Sequence, residues 1–486
     1  MYPRMNREQL VSVLDRGVGA AVEKAMVRHH RRRLRRRGWL AALDAPAGGW
    51  AAGEPPRRPG NEVEILVDGA AVMPRLVEAL RRAESHVHLA GWHFSPEFAL
   101  RRDGRPLVLR DLLAELAERV EVRVLAWAGA PLPMFRPSRR EVRAIRDTLC
   151  GRTRVRCALD ARERPLHCHH EKLVIVDDRV AFVGGIDLSL LAGDRFDTSS
   201  HPARGTVGWH DAAALVSGPA VADVAAHFAM RWQAVAGEAL PTVEPTGVGG
   251  GIELQVVRTV PERIYPRLPD GDFRLLESYV RALRSAQKLI YLESQFLWSP
   301  EISRILAEKL RQPPSDDFRL LVLLPPKPNN GNEDTRGTLA ELVAADDGAG
   351  RFLACTLYAR SGALADPIYV HAKIGIIDDG WITIGSANLN EHSLFNDTEM
   401  NIVAHDPGLA RDTRLRLWAE HLERPHVDIA GEPAEIIDSL WRPLAAEQLE
   451  RREGGAPYTH RLVQLPHLSR KTARLRGPIN GLLVDG

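Results

Sequence analysis

One pattern of residues occurs twice in the chain, about 200 residues apart. Residues 62–97 predict a strand, a helix and a second strand, and residues 274–301 repeat the helix and the second strand. Further on, residues 170–177 run from a His-x-Lys pair through an apolar strand to an aspartate, and residues 371–378 repeat this arrangement. Such a repeat predicts two similar halves related by a pseudo-two-fold axis.

Strands that alternate with helices favour an α/β fold. We expect two similar repeats, each a mixed β-sheet flanked by helices, with the active site at their interface. The stretch that joins the two repeats is rich in Pro, Gly and Thr, which is typical of a linker. The predicted division is a basic N-terminal extension over 1–60, a first half over 61–240, a linker over 241–251, a second half over 252–445 and a C-terminal tail over 446–486.

Composition excludes several classes of protein. The 486 residues are 44% hydrophobic and 26% charged, which is typical of a globular protein and not of a disordered one. The formal net charge is +2, which does not fit a nucleic-acid binder that is cationic overall. There is no run of about 20 apolar residues, so no transmembrane segment is predicted. Both motifs lie in one chain, so we expect a monomer. A cytoplasmic or peripheral membrane location is favoured, with export left open.

Cysteine and histidine patterns do not predict a metal site. The four cysteines fit neither a zinc site nor a disulfide framework. Residues 167–170 read His-Cys-His-His, but neighbours in an extended chain point to opposite faces and cannot all bind one ion. No EF-hand loop is visible. We expect no bound metal and no required cofactor, with stimulation by calcium left open.

Residues 28–37 form a strongly basic run near the N-terminus. One interpretation is a solvated charged face of a helix. A second is a patch for anionic lipid headgroups, where each cation contributes roughly 1 kcal/mol. A third is a twin-arginine export signal, which the short apolar stretch after Gly38 disfavours.

The two His-x-Lys pairs carry the clearest chemistry. Side chains alternate along a strand, so His170 and Lys172 project to one side, as do His371 and Lys373. An ammonium group neutralises phosphate oxygens, while an imidazole attacks phosphorus or moves a proton. We therefore predict a site for a phosphate group.

Each motif ends in an aspartate at a predicted turn. Asp177 and Asp378 come seven residues after their histidines, and this odd spacing points them to the opposite face. Both begin an Asp-Asp pair, a typical turn sequence. We expect these carboxylates to support the hairpins structurally and not to contact substrate.

The doubled motif resembles that of the phospholipase D superfamily, which carries His-x-Lys-x4-Asp twice. Other segments of residues 60–445 are similar to the same family, and the chain looks most like its bacterial phospholipase D-like lipases. These segments are Gly184–Leu188, Trp209–Asp211, Gly385–Asn390 and Asp397–Glu399.

The resemblance implies a two-step phosphodiester exchange through a phosphohistidine. In this hypothesis His170 is the nucleophile and His371 the acid and base, although the sequence alone does not establish which is which. One imidazole must be neutral and the other cationic, so the plot of rate against pH should be bell-shaped. Further roles follow the family pattern: Asp211 and Glu399 orient the imidazoles, the catalytic lysines Lys172 and Lys373 hold phosphate oxygens together with Asn388, and Ser386 and Gly185 bind phosphate or substrate. Gln295 shares a strand face with Glu293, which places it either at the substrate or in a packing or strand-edge role.

The two copies differ in ways that indicate unequal halves. Asp187 stands near the position of Asn388, and a carboxylate there would repel phosphate. Residues 391–393 read Glu-His-Ser where relatives often have an Arg before the Ser, which puts a role of arginine there in doubt.

Three enzymatic hypotheses fit this resemblance. Residues 91–95 and 291–296 look like strands of lipid-cleaving members, which favours a phospholipase D that hydrolyses or transphosphatidylates glycerophospholipids at a membrane surface. A nuclease and a cardiolipin-synthase-like transferase are the alternatives, and a nucleic-acid partner is not expected. A binding protein without activity ranks last because both His-Lys pairs are intact. We expect Phe296 and Trp298 to contact lipid.

Overall fold

The computed structural model describes residues 23–131, 136–165, 167–191, 193–327, 332–361 and 364–466. Residues 1–22 of the predicted extension and 467–486 of the predicted tail lie outside these ranges. Within them the chain has a mixed α/β fold in which helices flank a large mixed sheet, as the sequence predicts.

The strands of the first half are β1 (Arg58–Val67), β2 (His86–Gly91), β3 (Ala99–Arg101), β4 (Leu107–Val108), β5 (Glu121–Trp127), β6 (Arg156–Asp160), β7 (Lys172–Val176), β8 (Val180–Gly184), β9 (Gly208–His210) and β10 (Ala212–Ser217). Those of the second half are β11 (Ile252–Val260), β12 (Asp272–Phe273), β13 (Leu289–Glu293), β14 (Arg319–Leu323), β15 (Phe352–Ser361), β16 (Leu364–Val370), β17 (Ile374–Ile377), β18 (Trp381–Gly385), β19 (Glu399–Ala404) and β20 (Leu462–Gln464).

The α-helices are α1 (23–36), α2 (Leu40–Leu43), α3 (Gly69–Arg81), α4 (Leu109–Ala117), α5 (Arg139–Cys150), α6 (Val221–Ala236), α7 (Arg274–Ser285), α8 (Pro300–Arg311), α9 (Asn332–Asp346), α10 (Pro407–Leu422), α11 (Pro433–Ile436) and α12 (Arg442–Glu453). Shorter turns are π-helical at His392–Asn396 and Ile437–Trp441 and 3-10 helical at His426–Ile429. None of the helices in the described ranges is both long and apolar enough to cross a membrane.

The two halves use the same strand order. In the first half the hydrogen-bonded order is β1-β10-β8-β7-β2-β5-β6, and in the second it is β11-β19-β18-β17-β13-β14-β15. In both, the first four pairings are antiparallel and the last two are parallel. The repeat seen in the sequence is thus a repeat of topology.

The halves are joined through backbone pairing. β1 pairs antiparallel with β11, and β9 of the first half pairs in parallel with β16 of the second. Residues 241–251, predicted as a linker, contain no helix or strand and are mostly exposed. β20 pairs with β15, so residues 462–464 of the predicted tail extend the second sheet.

Amphipathic helices cover the sheet. In α7 the buried apolar residues Leu275, Leu276, Tyr279 and Leu283 recur at helical spacing and lie in one hydrophobic core with residues of strands β13 and β14. Burying a side chain of this kind contributes about 1.5–3 kcal/mol. The corresponding helix of the first half, α3, buries its own apolar stripe in the same way.

The basic run of the N-terminus is not fully solvated. Its residues lie on α1, and Leu34 is buried in the core of the second half. Arg33 is also buried, and its guanidinium donates to the carboxylate of Glu262 at 2.6–2.9 Å and to the carbonyl of Phe395 at 2.7 Å. The prediction of a solvated charged face is therefore wrong for Arg33, because that side of α1 packs on the protein.

The two motif aspartates lie at tight turns, far along the strands from their histidines. Asp177 and Asp178 both have positive φ, as do Asp378 and Asp379, which is the geometry of a type I′ hairpin turn. The Asp177 carboxylate accepts hydrogen bonds from the backbone N–H groups of residues 84, 85 and 86 at 2.8–2.9 Å. The Asp378 carboxylate accepts equivalent bonds from residues 287, 288 and 289 at 2.7 Å. Each carboxylate thereby ties a hairpin to the start of a neighbouring strand.

We predict that Asp177→Asn destabilises the fold. An amide offers one acceptor oxygen in place of two and no charge, while asparagine still tolerates the turn conformation. Hydrogen bonds to a charged group contribute about 1.5–3 kcal/mol, so we expect a loss of roughly 1–3 kcal/mol in the free energy of unfolding, measured by urea titration. Exposed Asp412→Asn is the matched control, and equal stability of the two variants would contradict this role.

Candidate active site

The two motif histidines lie where the halves meet. The backbone N–H groups of His170 and Glu171 donate to the carbonyl of Thr398 at 2.9 and 3.1 Å. Reciprocally, those of His371 and Ala372 donate to the carbonyl of His210 at 2.8 and 3.1 Å. Each motif is therefore anchored by backbone of the opposite half.

The imidazoles are held by carboxylates that also come from the opposite half. His170 Nδ1 lies 2.9 Å from Glu399 Oε1, and His371 Nδ1 lies 2.6 Å from Asp211 Oδ2. All four side chains are buried. A carboxylate at Nδ1 sets the ring orientation and leaves Nε2 for chemistry.

Ser386 and Gly185 stand at matching positions and support these carboxylates differently. Ser386 Oγ donates to Glu399 Oε2, and Ser393 Oγ donates to Glu399 Oε1 at 2.6 Å. A Cβ atom at Gly185 would lie 2.2 Å from Asp211 Oδ1, so any side chain there would displace this carboxylate. Ser386 therefore contacts the Glu399 carboxylate directly, whereas Gly185 leaves free the space that the Asp211 carboxylate occupies.

The two lysines have unequal surroundings. Lys172 Nζ donates to the backbone carbonyl of His170 at 2.6 Å and lies 3.3 Å from Asp187 Oδ2. Lys373 Nζ donates to the equivalent carbonyl of His371. The two halves differ here as predicted, because Asp187 forms an ion pair with Lys172.

Gln295 and Asn388 contact each other beside the motifs. Asn388 Nδ2 donates to Gln295 Oε1 at 3.3 Å, and Gln295 Nε2 donates to the hydroxyl of Tyr369 at 2.8 Å. Asn388 Oδ1 is buried and has no hydrogen-bond partner in the described part of the chain.

Burial and nearby cations shape the protonation of the site. Burial lowers the pKa of His371 well below its usual range, and the charges of Lys373 and Lys172 lower it further. Burial also lowers the pKa of Lys373 to about 7 and raises that of Asp211 to about 6. His371 is therefore neutral in the free protein near pH 7, while Lys373 is only partly protonated.

An arginine absent from the sequence prediction lies next to His371. Arg195 is buried, and its Cζ lies 3.9 Å from the centroid of the Trp209 ring. Trp209 in turn lies 4.4 Å from the His371 ring. Arg195 Nη1 donates to the carbonyl of Ser189 at 2.9 Å. No local motif marks Arg195, because a loop of the tertiary fold brings it here.

A buried ionic cluster lies behind Asp211. His210 Nδ1 lies 3.1 Å from Asp68 and its Nε2 lies 2.9 Å from Glu293, while His201 Nε2 lies 2.9 Å from Glu420. Burial opposes protonation of His210, but Glu293 and Asp68 raise its pKa well above the usual range. This cluster holds the carbonyl of His210 that anchors the second motif.

A second buried cluster lies behind the first motif. Arg231 donates to Glu171, the middle residue of that motif, and to Asp160 Oδ2 at 2.8 Å. His169 Nε2 lies 3.2 Å from Asp160 Oδ1. Both motifs thus rest on buried charges that are balanced within the protein.

The three histidines of residues 167–170 contact three different residues. His167 contacts His392, His169 contacts Thr398 and His170 contacts Glu399. They do not point at one another.

The prediction that Phe296 and Trp298 contact lipid is wrong. Phe296 is 0% exposed and Trp298 is 8% exposed. The chain turns inward after β13, and both rings pack in the interior.

Comparisons with known proteins agree with this geometry. The sequence family described as "Cardiolipin synthase, PLD-like domain" matches residues 279–419. Phospholipase D A of Dictyostelium discoideum is 25% identical over 469 residues, which covers 76% of this chain and 36% of that protein. Major cardiolipin synthase ClsA of Bacillus subtilis is 23% identical over 389 residues, which covers 75% of this chain and 72% of that protein.

A solved structure has the same fold. The crystal structure of phosphatidylserine synthase from Haemophilus influenzae Rd KW20 matches with a TM-score of 0.52 at 13% identity, over 81% of this chain and 93% of that chain. These matches support the phospholipase D superfamily for this chain, as the doubled motif predicts. It spans 36% of the length of the Dictyostelium relative.

We predict that the ionic cluster makes stability depend on pH. Burial lowers the pKa of His201, but Asp68 and Asp197 outweigh it and raise the pKa to about 9. The unfolded chain releases this proton near its ordinary value of about 6.5. The stabilisation is therefore complete below about pH 6.5 and is lost as the pH rises through about 9.

The measurement is the free energy of unfolding of wild type and His201→Gln between pH 6.5 and 9. One proton changes this free energy by up to about 1.4 kcal/mol per pH unit, so the wild type should lose stability more steeply than the variant. Parallel curves for the two proteins would contradict a charged His201.

Proposed function

We propose that the protein is a phosphodiesterase of the phospholipase D type that hydrolyses or transphosphatidylates glycerophospholipids through a phosphohistidine. The observation that carries this proposal is the pair of buried imidazoles, each held at Nδ1 by a carboxylate of the opposite half and each followed by a buried lysine. The names of the relatives support a lipid substrate, since they include phospholipases D and a cardiolipin synthase.

His170 is the proposed nucleophile. Its Nδ1 donates to Glu399, which leaves the Nε2 lone pair to attack phosphorus. A P–N bond forms as the P–O bond to the leaving alcohol breaks, and His371 gives its Nε2 proton to that oxygen. Neutral His371 then takes a proton from water or an acceptor alcohol, whose oxygen attacks phosphorus and releases His170.

Substrate binding would raise the pKa of His371, so that this imidazole takes up from solvent the proton it needs. In the free protein the charges of Lys373 and Lys172 help to lower the pKa of His371. A phosphodiester carries one negative charge, and contact with these ammonium groups would offset their effect and raise this pKa. His371 would then act as an acid in the complex that contains phosphate. Asn388, Gln295 and Arg195 are proposed to bind or position the substrate around these groups.

The decisive experiment is a headgroup-release panel. Vesicles of phosphatidylcholine, phosphatidylethanolamine and phosphatidylglycerol are incubated with the full chain, with and without ethanol. We expect release of at least one headgroup alcohol and formation of phosphatidylethanol. His170→Ala and His371→Ala should each lose about 10³-fold or more in kcat, because each removes a group that acts directly at phosphorus. Exposed His426→Ala is the matched control.

The same panel, extended by an assay with single-stranded DNA, separates the alternatives. Conversion of phosphatidylglycerol to cardiolipin would favour the transferase, a candidate supported by the family match over residues 279–419 and by the Bacillus relative. Degradation of single-stranded DNA by wild type but not by His170→Ala, without any lipid turnover, would replace the lipid proposal with a nuclease.

We predict a narrow pH optimum for kcat/KM. Asp211 is anionic above its pKa of about 6 and can hold the proton of His371, whereas Lys373 is cationic below its pKa of about 7 and can bind phosphate. Activity should therefore fall below about pH 6 and above about pH 7. Lys373→Arg keeps its charge at high pH and should shift the alkaline limb upward by at least about one pH unit. An unchanged alkaline limb in an active variant would rule out Lys373 as its cause.

A further inference from the structure

A buried trio of possible metal ligands lies outside the proposed active site. His30 comes from α1, Glu301 from the first turn of α8, and Glu391 from the residue just before the π-helical turn. The exposed fractions of the three residues are 4%, 5% and 7%. One ligand atom from each lies within 4.8 Å of the others.

The three ligand atoms lie close to one another. His30 Nδ1 lies 3.6 Å from Glu301 Oε1 and 3.8 Å from Glu391 Oε1. In the described part of the chain, none of these three atoms makes a hydrogen bond. A buried polar atom without a partner costs about 1–3 kcal/mol, and more if it is charged, so three at one place call for a common ligand.

Charge indicates that this ligand is a cation. Two carboxylates lie side by side, and the neighbouring arginines of α1 are engaged elsewhere: Arg31 pairs with Asp44 and Arg33 with Glu262. A bound cation would offset the repulsion between these two carboxylates.

The donor set indicates the class of cation. An imidazole nitrogen suits transition metals, whereas calcium and magnesium prefer oxygen alone. Zinc binds such nitrogen and oxygen ligands at about 2.0–2.2 Å, which places tetrahedral ligands roughly 3.4 Å apart. The observed separations of 3.6 and 3.8 Å need only a small contraction.

The ring of His30 is already oriented for this role. It stacks on Phe395 with a centroid distance of 4.0 Å and an interplanar angle of 14°. Three residues further along α1, Arg33 binds the carbonyl of the same Phe395. The helix therefore presents Nδ1 toward the two carboxylates.

We propose that His30, Glu301 and Glu391 bind a divalent transition-metal ion that fastens α1 to the second half of the fold. The ion would link a helix near the start of the sequence to α8 and to the segment that follows the second motif. This site is independent of the proposed function, and its test does not use activity.

The test is zinc binding by the full chain after removal of metal with EDTA. Bound Zn²⁺ is counted by equilibrium dialysis with elemental analysis and its affinity is measured by calorimetry. We expect the wild type to bind one more ion per chain than Glu391→Gln or Glu301→Gln. His86→Gln is the matched control, because it removes a ligand from the unrelated cluster of His86, His88 and Asp178 and should leave this ion in place.

Thermal unfolding separates loss of the ion from loss of the fold. Excess Zn²⁺ should raise the Tm of the wild type by roughly 2–5 °C and leave that of Glu391→Gln unchanged. In EDTA the variant should be at least as stable as the wild type, since one of two repelling carboxylates is gone.

Anomalous diffraction at the zinc edge provides the position, with a peak expected among the three side chains. Failure of the wild type to bind Zn²⁺ tighter than about 10 µM, equal stoichiometry in all four proteins, or a peak only at another cluster would overturn the proposal.

Discussion

The exchange of hydrogen bonds between the two halves is the constraint on which the rest of the structure depends. The imidazole of each motif is held by a carboxylate of the other half, and the backbone of each motif is held by a carbonyl of the other half. A buried imidazole needs such a partner, because an unpaired polar group in the interior is costly. Neither half contains a complete site by itself.

Buried charge surrounds this exchange, and it is organised differently on the two sides. Behind the second motif, histidines and carboxylates balance one another around His210, whereas behind the first motif an arginine, Arg231, supplies the positive charge. Replacing one member of either cluster would leave an uncompensated charge in the interior, which typically costs several kcal/mol. These clusters therefore hold the motifs in their orientation, but their own residues cannot be substituted without a large loss of stability.

Much of the fold could be predicted from the sequence because it is repeated. The strand period of two places His170 with Lys172 and His371 with Lys373, and the repeat of the pattern predicts two similar halves. Glu399 and Asp211 required the family resemblance, since they are 229 and 160 residues from their histidines along the chain.

Other features could not be predicted because they depend on tertiary packing. Arg195 reaches the site through a loop with no motif of its own. The burial of Phe296 reverses an expectation that rested on an aromatic residue beside a loop, and Arg33 is buried although it lies in a run of arginines. In each case a local pattern carries no information about which surface is covered by a distant segment.

The long separation between the paired residues also has a consequence for folding. Contacts between distant positions form late, because closing a long loop costs conformational entropy before the contact can offset it. The link between His170 and Glu399 spans almost half of the chain. The pairing of each imidazole with its carboxylate would thus be completed only when the two halves dock, and a newly synthesised or partly folded molecule would lack it.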